Sequence, residues 1–393
     1  MNTAIVLAAG EGTRLRPLTR HRPKPMLPVL SKTILEHVFN ALIESGVTEI
    51  IVVVGYKRNR IQSHFGSSHR NVPLTYVVQE RQLGTGHALL KTRSHIDETC
   101  VVINGDQIVG TELIDDVVET HQTTDAVATL GLLNRTEIGE YGGVLLEDNS
   151  VSEIIEGPQD DRNYRLNTGV YALEPSVVDT IEATPPSNGE HLLTDAFRKL
   201  VEDGEPVRGV VSDGLWVDVA YPWDLLDATE RLIDDIDWTH DGKSAVNSSA
   251  ILHETAVISP SAIIEANCEI EPGAVIGPNV SLGQNVTVGT NAVVERSVVD
   301  TDARIGQNAT LVDCIVGQGA RIGAGTVAPG GPSSVQIRNR VYEDVQLGAL
   351  LADRVYDGGG STYVPGTVVG ADATIHSGAT ISGTIGAEAE VYP

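Results

Sequence analysis

Residues 7 to 19 read LAAGEGTRLRPLT and set two glycines and two arginines directly behind an apolar start. They do so in a chain with 53 Asp and Glu against 27 Lys and Arg. A glycine-rich turn after a first strand lets backbone N–H groups approach a phosphate closely. Two well-known phosphate loops are excluded. The dinucleotide fingerprint GxGxxG needs a third glycine where Leu15 stands, and the Walker loop GxxxxGK[ST] meets the same leucine after Gly10. What remains is GxGTRLxPLT followed by Arg-Pro-Lys-Pro at 22–25, in which Arg14 and Lys24 offer cations to a polyphosphate without a basic protein around them.

A net charge of −26 argues against nucleic acid as a partner. No segment approaches the roughly 20 apolar residues of a membrane span, and the N-terminus lacks a signal peptide's basic start and cleavage site, so a cytoplasmic protein is expected. Cys100, Cys268 and Cys314 form no CxxC pair, which predicts neither zinc nor a disulfide framework. Only six of the 27 basic residues are lysine. Many carboxylates with little lysine predict a protein adapted to a high-salt cytoplasm, the alternative being an acidic protein in ordinary salt.

The elements that would position these residues fall into two halves. Residues 1–236 alternate continuous apolar runs (TAIVLAA, EIIVVVGY, TCVVINGD) with helical stretches such as TILEHVFNALIESG, capped by Ser31. That pattern predicts a mainly parallel sheet covered on both faces. After Asp125 it turns β-rich, suggesting an antiparallel section, and a helix through PWDLLDATERLIDD closes this half. A linker over 237–250 is expected. From 251 to 393 a period of six takes over: Leu252, Ile258, Ile264, Ile270, Ile276, Leu282, Val288 and Val294, each followed four residues later by a small or aliphatic residue, Ala256 through Val298. Stacked parallel β-coils have that period, whereas neither a helix nor an alternating strand does. The register slips near Asp300, and the stretch 328–364 reads as an irregular loop.

Five blocks in order, LAAGEGTRLRPLT, RPKPMLPV, QLGTGHA at 82–88, NGD at 104–106 and WVDVAYPWDLL at 216–226, make the chain resemble the sugar-1-phosphate nucleotidylyltransferases. The nearest types are archaeal two-domain enzymes and the bacterial bifunctional uridylyltransferase/acetyltransferases. The resemblance covers both halves. It implies an α/β Rossmann-like nucleotidyltransferase domain with a mixed, mainly parallel sheet, followed by a left-handed parallel β-helix, which in such families packs as a homotrimer. The implied reaction is attack of a sugar-1-phosphate oxygen on the α-phosphorus of a nucleoside triphosphate, with pyrophosphate leaving.

In that scheme Arg14 serves the leaving phosphates and Lys24 the α-phosphate. Leu7, Ala8, Ala9, Gly10, Gly12 and Thr13 line the nucleotide, as do the base-reading Gln79, Gly84 and Thr85. A glutamine amide both donates and accepts, which favours UTP or dTTP, and leaves open which of the two. His87 is expected to pack or hydrogen-bond rather than catalyse. Asp106 and Asp218, each ending a strand, would hold Mg²⁺. Gly142, Glu156, Asn167 and Thr168 match the sugar-contacting positions. Where many relatives have Glu-Lys-Pro this chain has Glu156-Gly157-Pro158, so Arg162 or Arg165 would have to replace the lysine at the sugar phosphate. Glucose-1-phosphate and N-acetylglucosamine-1-phosphate both stay open.

For acetyl transfer in the second half the resemblance requires a histidine near Gln307 to Ala309 and an asparagine after GAGT. The chain has neither, and His253 and His376 read as surface residues, so that activity is disfavoured. A non-catalytic subunit that binds nucleotide sugars is the other alternative.

Overall fold

The computed structural model describes residues 1–30, 32–135, 138–139, 141–235 and 245–393. Ser31 and positions 237–244 of the expected linker lie outside them. The described chain forms two compact units: Met1–Glu11, Pro23–Met26 and Ile34–Asp218 in one, Gly12–Arg22, Leu27–Thr33 and Val219–Pro393 in the other.

The first unit is built on a ten-stranded sheet. Its strands are β1 (Thr3–Ala8), β2 (Glu49–Val54), β3 (Ser68–His69), β4 (Val72–Val78), β5 (Cys100–Asn104), β6 (Ala128–Leu133), β7 (Gly142–Glu147), β8 (Ser150–Glu156), β9 (Arg165–Leu173) and β10 (Val207–Ser212). They run in the order β7-β8-β10-β6-β9-β5-β1-β2-β4-β3. The three apolar runs read as strands, β5-β1-β2, are parallel neighbours with β4 beside them, and β9 joins them antiparallel through Val170↔Ile103. Their residues alternate between two buried clusters, Val6, Val52 and Ile103 facing one side and Ile5, Ile51 and Val102 the other. Helices α1 (Ile34–Glu44), α2 (Arg58–Phe65), α3 (Thr85–Leu90), α4 (Thr111–Gln122), α5 (Ser176–Ala183) and α6 (Leu193–Glu202) cover the two faces. Helix α1 shows why such a segment docks: its apolar positions, from Ile34 to Leu42, sit at helical spacing and are buried.

The second unit is a parallel β-helix of three sheets with eight, eight and seven strands. Each short strand pairs with the one a full coil further on, as Leu252 with Ile270 and Ile270 with Val288. From Ala262 on, interior positions are the predicted ones: Ile264, Ile270, Ile276, Leu282, Val288 and Val294 form one core with Ala262, Cys268, Ala274, Val280, Val286 and Ala292, whereas Leu252 in the first coil is exposed. The corners need left-handed backbone, which asparagine tolerates better than most residues, and Asn267, Asn279, Asn285, Asn291 and Asn308 supply it.

Three expectations are corrected. Val298 is not the small core residue of its coil: the turn around left-handed Arg296 is one residue short, so Val299 enters the core and Val298 belongs to the outer face. The coil begins inside the expected linker, since Ala245–Val246 already pairs with Ile263–Ile264. And 328–364 is not an irregular loop. It holds an antiparallel hairpin, Pro332–Ile337 with Arg340–Gln346, after which regular coil resumes at Ala349–Leu351. An alternating stretch bracketed by glycines and prolines hid both, because a hairpin's period is two and the coil's is six.

The closing helix α7 (Asp224–Asp234) also falls in the second unit, where Asn279 Nδ2 donates to Glu230 Oε1 at 2.9 Å. The segment Gly12–Arg22 is fastened to the coil by charge. Arg22, whose side chain is largely covered, pairs with Asp300 at 2.5 Å and Asp353 at 2.8 Å, and Arg20 pairs with Glu388 at 2.6 Å. His21 Nε2 lies 3.1 Å from Asp372, which Arg354 also holds at 2.7 Å.

Candidate active site

In the first unit, strand β1 ends at Ala8 and strand β5 at Asn104, side by side, at the carboxyl edge where an open parallel sheet binds ligands. Gly105 N–H donates to Leu7 O at 2.9 Å, so the chain after β5 is pressed against β1. A Cβ on Gly105 would lie 2.9 Å from both Ala8 Cβ and Val6 Cγ1, and only glycine allows the approach. Asp106 follows. The next residues, Gln107–Val109, form a two-stranded ribbon with Trp216–Asp218, in the register Asp218↔Gln107. That register brings Asp218 beside Asp106.

Both carboxylates converge on one cation. Lys24 Nζ lies 2.9 Å from Asp106 Oδ2 and 3.0 Å from Asp218 Oδ1. Burial alone would lower the pKa of Lys24, but the two carboxylates outweigh it and hold it well above the usual lysine value. Tyr141 donates its hydroxyl to the other oxygen of Asp218 at 3.0 Å, and its ring meets Trp216 edge-on. Tyr141 is a residue the sequence does not reveal, because nothing in the string YGG at 141–143 says that its hydroxyl reaches a residue 77 positions away.

The donor set suits Mg²⁺. Asp106 and Asp218 present hard oxygens to a single point, and a magnesium ion takes one or two carboxylates, with waters and substrate phosphates as its other ligands.

Gln79, at the end of β4, is buried and fixes the turn that follows. Its Nε2 donates to Gly84 O at 3.1 Å and lies 2.8 Å from His87 Nδ1. A carbonyl can only accept, so that atom is the amide nitrogen, and His87 Nδ1 must accept as well. Burial, Lys91 and His191 all push the His87 pKa down, which keeps the ring neutral for this role. Both amide hydrogens are thus spent, and Oε1 remains as the acceptor for a ligand. His87 is a hydrogen-bonding residue, as expected.

Gly84 (φ +95°) cannot be replaced, since a Cβ would stand 2.3 Å from His191 O. That same carbonyl accepts from Gly86 N–H at 2.8 Å, while Thr85 Oγ1 accepts from Leu193 N–H at 3.1 Å. His191 is therefore a second residue the sequence did not reveal.

Of the sugar-contacting candidates, three meet. Gly142 opens β7 opposite Glu156 in the register of the sheet, and a Cβ on Gly142 would lie 3.4 Å from Asn167 Cβ and 3.7 Å from Glu156 Oε1. Thr168 does not join them: it is fully buried, and its hydroxyl donates to Gly131 O at 2.7 Å. Of the two arginines, Arg162 is taken by Glu153 and by Asp160 at 3.1 Å. Among the described residues Arg165 bonds only neutral amides, Asn163 at 2.9 Å and Asn134 at 3.1 Å, and it lies two residues before Asn167 on the same strand face.

Leu7, Ala8, Ala9 and Gly10 belong to the first unit, where Ala9 O accepts from Tyr56 N–H at 3.2 Å. Gly12, Thr13 and Arg14 belong to the second. There Gly12 takes left-handed backbone (φ +60°), and Thr19 Oγ1 donates to its carbonyl at 2.9 Å. The Arg14 guanidinium lies over the ring of Tyr221, 5.8 Å from its centre.

A glycine-rich loop behind a first parallel strand, with paired carboxylates at the neighbouring strand end, is an arrangement that suits a nucleotide-using α/β enzyme. The chain belongs to the nucleotidyl transferase family, matched over residues 3–235, and residues 258–386 match the GMPPB C-terminal domain. Among its relatives is the bifunctional protein GlmU of Methanococcus maripaludis strain C7, 38% identical over 408 residues, 99% of this chain and 97% of that protein. The UTP–glucose-1-phosphate uridylyltransferase AglF of Haloferax volcanii is 37% identical over 232 residues, 58% of this chain and 96% of its own. From the same organism, the low-salt glycan biosynthesis nucleotidyltransferase Agl11 is 36% identical over 81% of this chain and 93% of its own. A UDP-glucose pyrophosphorylase solved with UDP-glucose shares the fold, with a TM-score of 0.55, 22% identity and coverage of 60% of this chain and 100% of that one. Among the described residues no helix is long and apolar enough to cross a membrane.

Proposed function

We propose that this enzyme transfers UMP, or dTMP, from its triphosphate to glucose-1-phosphate or N-acetylglucosamine-1-phosphate and releases pyrophosphate. The observation that carries this reading is the convergence of Asp106 and Asp218 on Lys24 at the strand ends. Two anions must meet for the sugar phosphate to attack in line, so the site has to supply positive charge. Lys24 stays protonated and faces the α-phosphate; Arg14 serves the departing phosphates. Mg²⁺ held by Asp106 and Asp218 would neutralise charge on phosphate oxygens. Gln79 Oε1, its amide hydrogens committed, accepts the imide N–H that uracil and thymine carry. Gly142, Glu156 and Asn167 take sugar hydroxyls, and Arg165 replaces the absent lysine at the sugar phosphate. AglF, named for UTP and glucose-1-phosphate, weights the choice toward that pair.

The test is Mg²⁺-dependent pyrophosphate release with UTP and dTTP, each paired with both sugar phosphates. Release with one pair names the substrates. Silence across all four, from folded protein that still binds a nucleotide sugar, favours the sensing subunit instead.

The rest of the proposal concerns setting. The coil serves trimerisation: the row Val257, Val275, Val293, Thr310 and Val327 lies on the outside of one sheet, with Val257 59% and Val327 37% exposed. A monomer in sedimentation overturns that. The protein works in a high-salt cytoplasm, and a melting temperature that falls as KCl is added would refute this. Acetyl transfer is not included. Although relatives are named bifunctional, Gln307 to Ala309 offer no base. Of the coil's histidines, His253 bonds Thr255 at 2.9 Å, and His376 stacks on Tyr392 at 4.1 Å. Acetyl-CoA-dependent thiol release with glucosamine-1-phosphate would reverse that judgement.

A further inference from the structure

The hairpin that interrupts the coil is aimed at the phosphate loop. Its turn residue, Arg338, donates to the hydroxyl of Thr13. The strand after the turn carries Tyr342, whose hydroxyl donates to Tyr221 at 2.8 Å and whose ring packs on Tyr221 and Trp223 at 4.7 and 5.4 Å. Tyr221 stacks on Trp223 at 5.0 Å and lies under Arg14. The base of the hairpin is tied down as well: Gln346 Nε2 and Gly331 N–H both donate to Asp313 Oδ2 at 3.0 Å. Val335, Ile337 and Val345 are buried. The hairpin is thus a seated arm, and its tip stands at Thr13, next to Arg14.

The charge at that tip is unusual for this chain. Carboxylates outnumber basic residues about two to one. Arg20, Arg22, Arg296 and Arg354 in the same unit each hold one at 2.5 to 2.8 Å. Among the described residues, Arg338 has no carboxylate within ion-pair reach. It is exposed, and its partner is a neutral hydroxyl on the loop. A guanidinium held in this way keeps donors in its planar fork for a second acceptor, and phosphate oxygens match that fork.

We propose that Arg338 is a triphosphate-binding residue, delivered by the hairpin to the loop Gly12–Arg14, where it contacts the β- or γ-phosphate of the incoming nucleotide. This rests on the reading of that loop as the seat of the triphosphate. It assigns the interruption of the coil a purpose: a coil strand is too short to carry a cation out to the loop, whereas a hairpin reaches it. Tyr342 is a positioning residue in the same arrangement, since it holds Tyr221 and, through it, the place of Arg14.

The experiment compares wild type, R338N and R338K in the full-length protein, by calorimetric titration with UTP and with UMP and by steady-state pyrophosphate release. Asparagine accepts the left-handed backbone of the turn (φ +56° at Arg338), so R338N removes the charge and keeps the shape. Loss of one charge-assisted contact should weaken UTP binding roughly tenfold to a hundredfold. KM for UTP should rise in step, with kcat and the sugar-phosphate KM within about twofold. UMP lacks the outer phosphates and should bind all three proteins alike, while R338K recovers part of the UTP affinity. UTP binding by R338N within twofold of wild type overturns the proposal. So does an equal loss for UMP, or a changed near-ultraviolet signal from the Tyr221–Trp223–Tyr342 cluster without recovery in R338K, since either makes the effect one of an unseated hairpin. If wild type binds UTP yet releases no pyrophosphate with any sugar phosphate, the proposed activity fails while the binding comparison still decides the role of Arg338.

Discussion

Lys24 and Asp218 stand 194 residues apart in the chain and 3.0 Å apart in the structure. Lys24 Nζ also lies 2.9 Å from Asp106, so one buried ammonium is shared by two carboxylates where phosphate chemistry would take place. The pairing is local. Removing either sign leaves the other without its partner.

D106A is expected to cut turnover by a factor on the order of 10²–10³, the scale for losing one preorganised electrostatic contact. Its melting temperature should stay close to wild type, because the Asp106 side chain is 40% exposed and Lys24 keeps Asp218. K24M should lose both activity and stability, since it strands the nearly buried Asp218. Steady-state rates with thermal melts check both; an active D106A would remove Asp106 from the site.

The His87–Gln79 contact sets a pH dependence. With its pKa below the ordinary 6.5, His87 is neutral at pH 7, and Nδ1 accepts from Gln79. Protonation on the acid side of 6.5 turns the acceptor into a donor and breaks the contact. KM for the nucleotide should therefore be flat above pH 6.5 and rise as pH falls below it. H87Q should abolish that rise, and KM–pH profiles of the two proteins would show it; a persisting rise in H87Q assigns it to another group.

Arg165 and Arg162 separate cleanly. R165A should raise KM for the sugar-1-phosphate about tenfold or more while leaving the nucleotide KM within about twofold, as loss of a charge-assisted phosphate contact predicts. R162A removes an exposed cation already neutralised by Glu153 and Asp160, so both constants should hardly move. Equal effects of the two substitutions would dismiss Arg165 from this role.

Arg22 pins the phosphate-loop segment to the coil. R22M strands Asp300 and Asp353, two nearly buried carboxylates, at a cost of about 3–5 kcal/mol. Denaturant unfolding should show that loss. The triple variant R22M/D300N/D353N, which removes the buried charges together, should recover much of it. Wild-type stability in R22M would mean that the ion triad does not fasten the segment.

Much of the architecture was legible because it repeats. A period of six sustained over eight repeats leaves the β-helix as the one way to bury Ile264, Ile270 and Ile276 together. The continuous apolar runs of β1, β2 and β5 likewise demanded a sheet buried on both faces. The slip near Asp300 was legible as a break in the period of six, but not that the shortened turn lies at Arg296 and hands the core position to Val299, because a turn shortened by one residue changes no composition. Nor was the hairpin, whose alternation is masked by the prolines and glycines that also punctuate loops.

In the site, the sequence by itself determined the chemistry available: the glycine-rich loop, Arg14 and Lys24 as cations, Asp106 and Asp218 as oxygen donors, and Gln79 as an amide able to donate and accept. Those are properties of residue types and of short spacings. Only the tertiary structure decided which of them touch. The ribbon register that sets Asp218 beside Asp106, the His87 acceptor that orients Gln79, the withdrawal of Thr168 into the core and the seating of Arg338 at Thr13 all join distant parts of the chain. Such contacts depend on strand register and side-chain packing in three dimensions, and no local pattern carries that information.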